Sequence, residues 1–211
     1  MTPDARLLIA PGCPHCPTMI RILSELVKEG LIGRLEIVNI QVHPDAAAEV
    51  GTRSVPWFRI GQFEFTGAHG EAEVREWVRK AAAGSGEIDY LLDLIEQRRL
   101  DEVQSQVEAD PALLCRLIAR MDDPDLGMVV RIGISALVEH FAGRPELARC
   151  LPQIEVLARS DSATVRGDAA HFLEQMDTPE ARALLEQLRE DPDAQVRELV
   201  ADALEGGQTD S

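Results

Sequence analysis

Residues 10–18 read APGCPHCPT, with Cys13 and Cys16 separated by Pro14 and His15. A short apolar run, ARLLIA (5–10), leads into this stretch and is bounded by Pro11-Gly12, as a buried strand is. CPTMIRILSELVKEG (16–30) follows it. Met19, Ile20, Leu23, Leu26 and Val27 stand there at helical spacing, and Gly30 supplies a stop. The cysteine pair therefore sits where a strand gives way to a helix. At a helix start, unpaired backbone N–H groups and the macrodipole favour an anion, and a thiolate is one. Cys13 is expected to ionise below the ordinary thiol value of about 8.5, within roughly 3.5–7.5. Pro14 suits the first helical turn, and His15 adds a second stabiliser of negative charge on Cys13. Cys16, one turn on, is placed to resolve a mixed disulfide formed at Cys13.

Two other uses of the pair compete. Zinc needs four ligands, and no second close cysteine pair exists. Cys115 and Cys150 stand apart on predicted helices among leucines, where a cysteine is expected to be buried and inert. A purely structural crosslink closing so short a loop would stabilise little.

Further along, RLEIVNIQV (34–42) suggests a second buried strand and PDAAAEVG (44–51) a short helix closed by Gly51. WFRIG (57–61) and FEFTG (63–67) are aromatic and β-branched runs on either side of Gly61-Gln62, a hairpin signature. EAEVREWVRKAAA (71–83) is an amphipathic helix. The order is βαβαββα.

SVPWF (54–58) places Pro56 just before an apolar strand, some 40 residues after the cysteine pair. With the strand–CPHC–helix start, VGTRSVPWFRIG (50–61) and FTGAHGEAEVREWV (65–78), residues 5–83 resemble the thioredoxin/glutaredoxin superfamily. The resemblance implies an α/β thioredoxin-like fold of the small, glutaredoxin-like size. It implies Cys13 as nucleophile, Cys16 as resolving thiol and Pro56 in cis against them, with His15 and Pro14 shaping the dithiol. Val55 and Pro56 would border a substrate, Trp57 would either line that surface or pack in the core of the last strands, and Gly67 with the helix start after it could accept a carboxylate. One departure stands out. Thioredoxins keep a buried carboxylate on the strand before the cysteines, and here that strand carries Leu7, Leu8 and Ile9.

The rest of the chain has a different pattern. AAAGSGEI (81–88) is a small, glycine-bearing joint. Beyond it, helices are punctuated by Asp110-Pro111, Asp123-Pro124, Arg144-Pro145, Thr178-Pro179 and Asp191-Pro192, where proline fits the first helical turn. VRIGISALV, VRGDAAHFL and VRELVADAL begin at Val130, Val165 and Val196, spacings of 35 and 31 residues. Apolar or small residues recur at +4, +5 and +8 from each valine, and a second helix precedes each copy. One helix pair per repeat marks an α-solenoid. Residues 110–205 resemble HEAT repeats, with acidic turns at Asp125, Asp161 and Asp193 before the three Val-Arg pairs. Arg131, Arg166 and Arg197 are expected to pair with these turns or with the neighbouring repeat. The expected organisation is a thioredoxin/glutaredoxin-like domain (1–83), a linker (84–88), an all-α HEAT-like domain (89–206) and a disordered tail (207–211).

The net charge is −16. Residues 1–84 carry 9 Lys/Arg against 10 Asp/Glu, and residues 85–211 carry 12 against 27. So acidic a second half repels nucleic acid and anionic membrane. There is no apolar run long enough for a transmembrane helix and no basic start of a secretory signal, so a cytoplasmic location is expected. The function expected is thiol–disulfide exchange on a protein disulfide or thiol, with no metal and no cofactor. The HEAT-like half would dock a protein partner. A redox-regulated adaptor with little turnover is the alternative.

Overall fold

The computed structural model describes residues 1–206; the tail expected at 207–211 lies outside the described residues. The chain forms two compact units, Met1–Glu87 and one that begins at Ile88.

In the first unit, β1 (Ala5–Ile9) is central in a four-stranded sheet. It pairs in parallel with β2 (Leu35–Asn39) and antiparallel with β3 (Trp57–Ile60), and β3 turns back into β4 (Phe63–Thr66). The order is β2-β1-β3-β4. The β3–β4 loop has only Gly61 and Gln62, and Gly61 takes a positive φ of 57° that a side chain would resist.

The pleat sorts the side chains. Leu8 stands opposite Trp57, and both pack with Ala46 of α2 (Pro44–Glu49) on one face. Leu7, Phe58 and Phe65 stand in line across the other face. That face is covered by α1 (Cys16–Lys28) and α3 (Glu71–Ala83). Met19, Leu23 and Leu26 of α1 are fully buried, and Trp77 of α3 packs its ring on Phe63 and Phe65. Arg75 of α3 ties to Glu29, just past α1, by a bidentate bond and also holds Glu71 of its own helix, to which Arg21 of α1 donates in turn. β2 differs from the buried strand expected of it. It is an edge strand, and Ile37 is 42% exposed.

The second unit is helical throughout its described residues: α4 (Glu87–Glu96), α5 (Leu100–Ala109), α6 (Ala112–Ile118), α7 (Met128–His140), α8 (Pro145–Ala148), α9 (Leu151–Leu157), α10 (Ala163–Glu174), α11 (Pro179–Leu188) and α12 (Ala194–Gly206). α4 opens at Glu87, within the segment expected to be a linker. Residues +4 and +8 from the repeat valines (Ile134, Val138, Ala169, Leu173, Val200, Leu204) are all buried. The +5 position is not uniform. Ala170 is buried where α12 packs on α10, whereas Ala201 is exposed. Close packing starts early: a Cβ on Gly133 of α7 would collide with Ile95 Cγ2.

The repeat arginines stitch helices to turns. Arg131 donates to the Met121 carbonyl and to Asp168 of the next repeat (2.8 Å). Arg166 donates to both carboxylate oxygens of Asp191 and to the Ser160 and Asp161 carbonyls. Arg197 donates to the Asp191 and Pro192 carbonyls. The acidic turns thus serve mainly through their backbone oxygens. The carboxylates that pair are Asp168 and Asp191, of which only Asp191 belongs to a turn marked by proline.

Cys115 and Cys150 are not isolated. They form a disulfide with a Cα–Cα distance of 4.8 Å. It joins α6 to the residue that precedes α9.

Candidate active site

β1 runs toward the cysteine loop and β3 runs away from the same end, because the two are antiparallel and Leu8 faces Trp57. Trp57 also faces Thr66, the last residue of β4. One end of the sheet therefore gathers the Ala10–Cys13 turn, the Val55–Pro56 peptide and the Gly67–His69 loop. The strand register brings together three segments that lie far apart in sequence.

Cys13 and Cys16 are joined in a disulfide with Cα atoms 5.5 Å apart. They are unequally reachable: Cys13 is half-buried and Cys16 is 3% exposed. The Cys16 backbone N–H donates to Cys13 Sγ at 3.1 Å, so a helix-start N–H is aimed at the outer sulfur. The Cys13 N–H closes a turn onto the Ala10 carbonyl.

α1 begins at Cys16 with His15 as its N-cap and Pro17 in its first turn. Pro14, expected in the first turn, lies ahead of the helix and belongs to the loop that carries Cys13 outward. His15 is exposed beside the pair.

Val55-Pro56 is cis, as the resemblance implies for that position. Pro56 is buried and Val55 half-buried. Trp57 does not border a substrate surface: it is 3% exposed and belongs to the core with Leu8 and Ala46. Pleating turns it inward while its neighbour Pro56 stays at the strand's end. Gly67 is not an open carboxylate receptor either. Its N–H donates to the Pro56 carbonyl at 2.8 Å, and Glu71 and Glu73 already occupy the first turn of α3. Gly67 instead anchors the cis-proline loop.

His69 is packed inward. Its ring stands edge-on to Phe58 and Phe65, its side chain is 14% exposed, and Nδ1 lies 2.8 Å from Glu73 Oε1. The apolar β1 keeps its consequence. Leu7 and Leu8 are 0% exposed, and the only buried charged residue among the described residues is Asp191, in the helical unit. Among the described residues no group of three or more His, Cys, Asp or Glu could hold a metal ion, and no helix is long and apolar enough to cross a membrane.

A reachable sulfur joined to a buried one at the head of a helix, beside a cis-proline, defines a dithiol–disulfide protein of thioredoxin-like fold. Comparison with known proteins agrees. A family model described as a thioredoxin domain matches residues 6–79, and one described as HEAT repeats matches residues 108–205. A thioredoxin of Methanocaldococcus jannaschii is 34% identical over 76 residues, 35% of this chain and 89% of that protein. A probable thioredoxin of Archaeoglobus fulgidus is 31% identical over 85 residues, 37% of this chain and 89% of that protein. One of Methanothermobacter marburgensis is 33% identical over 78 residues, 36% of this chain and 92% of that protein. The chain belongs to the thioredoxin family, and HEAT repeats follow its thioredoxin domain.

Proposed function

We propose that this protein is a thiol–disulfide oxidoreductase acting on protein disulfides. The reduced Cys13 thiolate attacks a substrate disulfide, Cys16 resolves the mixed disulfide, and the Val55–Pro56 peptide borders the bound segment. The observation that carries this is the unequal exposure of the pair. Only Cys13 is open to a protein disulfide, and the N–H aimed at its sulfur favours the charged, attacking form. With no buried carboxylate beneath Cys16 among the described residues, its proton leaves through His15 or water. No resident metal or cofactor is required. The acidic HEAT domain docks the protein partner and restricts which disulfides meet Cys13. A cytoplasmic location fits the reductive direction of this chemistry.

Replacing Cys16 with Ser should trap substrate proteins as mixed disulfides on Cys13, released by dithiothreitol and seen on non-reducing gels. A second reading, an adaptor with little turnover, is favoured by the apolar face of α7, where Met128 is 71% and Ile132 62% exposed. Partners kept after both Cys13 and Cys16 are changed to Ser, with none trapped by Cys16→Ser, would favour the adaptor.

A further inference from the structure

We propose that the Cys115–Cys150 disulfide is itself a substrate of the Cys13/Cys16 dithiol, so that one copy of this protein opens the crosslink in the helical unit of another. This inference rests on the oxidoreductase activity proposed above.

The second disulfide repeats the asymmetry of the first. Cys150 is 0% exposed, whereas Cys115 is half-buried on α6 between the exposed Ala112, Arg116 and Ala119. Exchange takes place at the sulfur an incoming thiolate can reach, so Cys115 Sγ is the point of attack and Cys150 the leaving group. The leaving sulfur has a place prepared for it. Cys150 Sγ lies 3.5 Å from the Glu146 carbonyl oxygen, which accepts the S–H once the bond is broken.

The step balances. The Cys13 thiolate of the donor bonds to Cys115 Sγ, the Cys115–Cys150 bond breaks, and Cys150 keeps the electron pair and takes a proton. The donor's Cys16 thiolate then attacks Cys13 Sγ and releases Cys115, which is protonated in turn. Two electrons and two protons have passed. The donor holds a Cys13–Cys16 disulfide and the acceptor two thiols. A small dithiol such as dithiothreitol resets the donor. The consequence is local to the helical unit. The bond ties α6 to the start of α9 across 35 residues of chain, so opening it loosens the segment that holds α8 between them.

The test uses full-length protein on both sides. The acceptor carries Cys13→Ser and Cys16→Ser, and its Cys115–Cys150 disulfide is left intact. Wild-type protein is the donor, in substoichiometric amount, with dithiothreitol as the dithiol and insulin as a parallel substrate. Alkylation followed by intact-mass measurement counts the thiols freed on the acceptor, which its mass distinguishes from the donor. The donor should open the acceptor disulfide on the order of tenfold faster than dithiothreitol alone. A Cys13→Ser donor should give no acceleration. Opening at the dithiothreitol rate while the same donor reduces insulin would overturn the inference and leave the oxidoreductase activity standing. Failure on both substrates would overturn both. Opening of the acceptor without insulin reduction would support the inference and mark the enzyme as selective for its own fold.

Discussion

Changing Cys13 to Ser is expected to drop insulin reduction to the uncatalysed rate. A serine hydroxyl occupies nearly the same space as the thiol but forms no bond to sulfur, so no mixed disulfide arises and the loss is complete. Cys16→Ser should behave differently, because attack survives and only resolution fails. It should give one stoichiometric burst of mixed disulfide and then stall. The difference follows from the placement of the two sulfurs. Cys13 is presented by a loop ahead of α1, while Cys16 is the first residue of the helix and lies under it. Both variants should keep the melting behaviour of the reduced wild type. If Cys13→Ser still turned insulin over, the reachable sulfur would not be the nucleophile.

The largest expected effect on stability lies in the second unit. Asp191 is its buried charge, with a side chain 3% exposed. It accepts two hydrogen bonds from Arg166, at 2.7 and 2.9 Å, and one from the Asp193 N–H at 2.8 Å. Asp191→Ala leaves the Arg166 guanidinium, itself 12% exposed, without its hydrogen-bonded carboxylate, and unpairing a buried charge in this way costs about 3–5 kcal/mol. Chemical denaturation of the full chain, followed through the helical-unit transition, measures this. The same contact fixes the direction of a pH effect. The Arg166 guanidinium holds the Asp191 carboxyl below the usual carboxylate range, with the Asp193 N–H adding to it and burial opposing. A carboxyl lowered in the folded state stabilises above its unfolded value of about 3.9, and that stability is lost as pH falls through the folded value. The acid limb should therefore steepen below about pH 4 in the wild type and flatten in Asp191→Asn. Asp168 has the opposite sign. Burial outweighs Arg131 and raises its carboxyl, so its contribution is present at low pH and lost as pH rises. Asp168→Asn should accordingly be much milder than Asp191→Ala.

Much of the first unit could be read from residues alone, because its signals are local. The apolar run before Pro11-Gly12, the helical spacing after Cys16 and the two-residue hairpin loop at Gly61-Gln62 each report on neighbouring backbone. What local signals miss is the sheet's order. LEIVN is apolar enough for a central strand, yet topology puts it at the edge, and Ile37 is left partly exposed. The inward turn of Trp57 and the packing of His69 on Phe58 and Phe65 likewise depend on which strand stands opposite. Gly67 shows the same limit, since its N–H is taken by Pro56, a residue on another strand's approach.

The second disulfide is more instructive, because its signal was present in the repeat. Cys115 and Cys150 are 35 residues apart, the spacing that separates Val130 from Val165. In a solenoid, equivalent positions of successive repeats stack on one another. Two cysteines one repeat apart are therefore candidates for bonding, whereas the same two taken singly look like buried, inert side chains. The repeat arginines follow the same logic. Their turns could be found from the Val-Arg pattern, but the partners Asp168 and Asp191 emerge only when the repeats are stacked.

The central claim, that Cys13 is an attacking thiolate activated by a helix-start N–H, is tested most directly by alkylating Cys13 as a function of pH. The measurement uses reduced Cys16→Ser protein and peptide mapping to isolate Cys13. The rate should rise with a midpoint below about 7.5, and a midpoint near the free-thiol value of about 8.5 would contradict the claim.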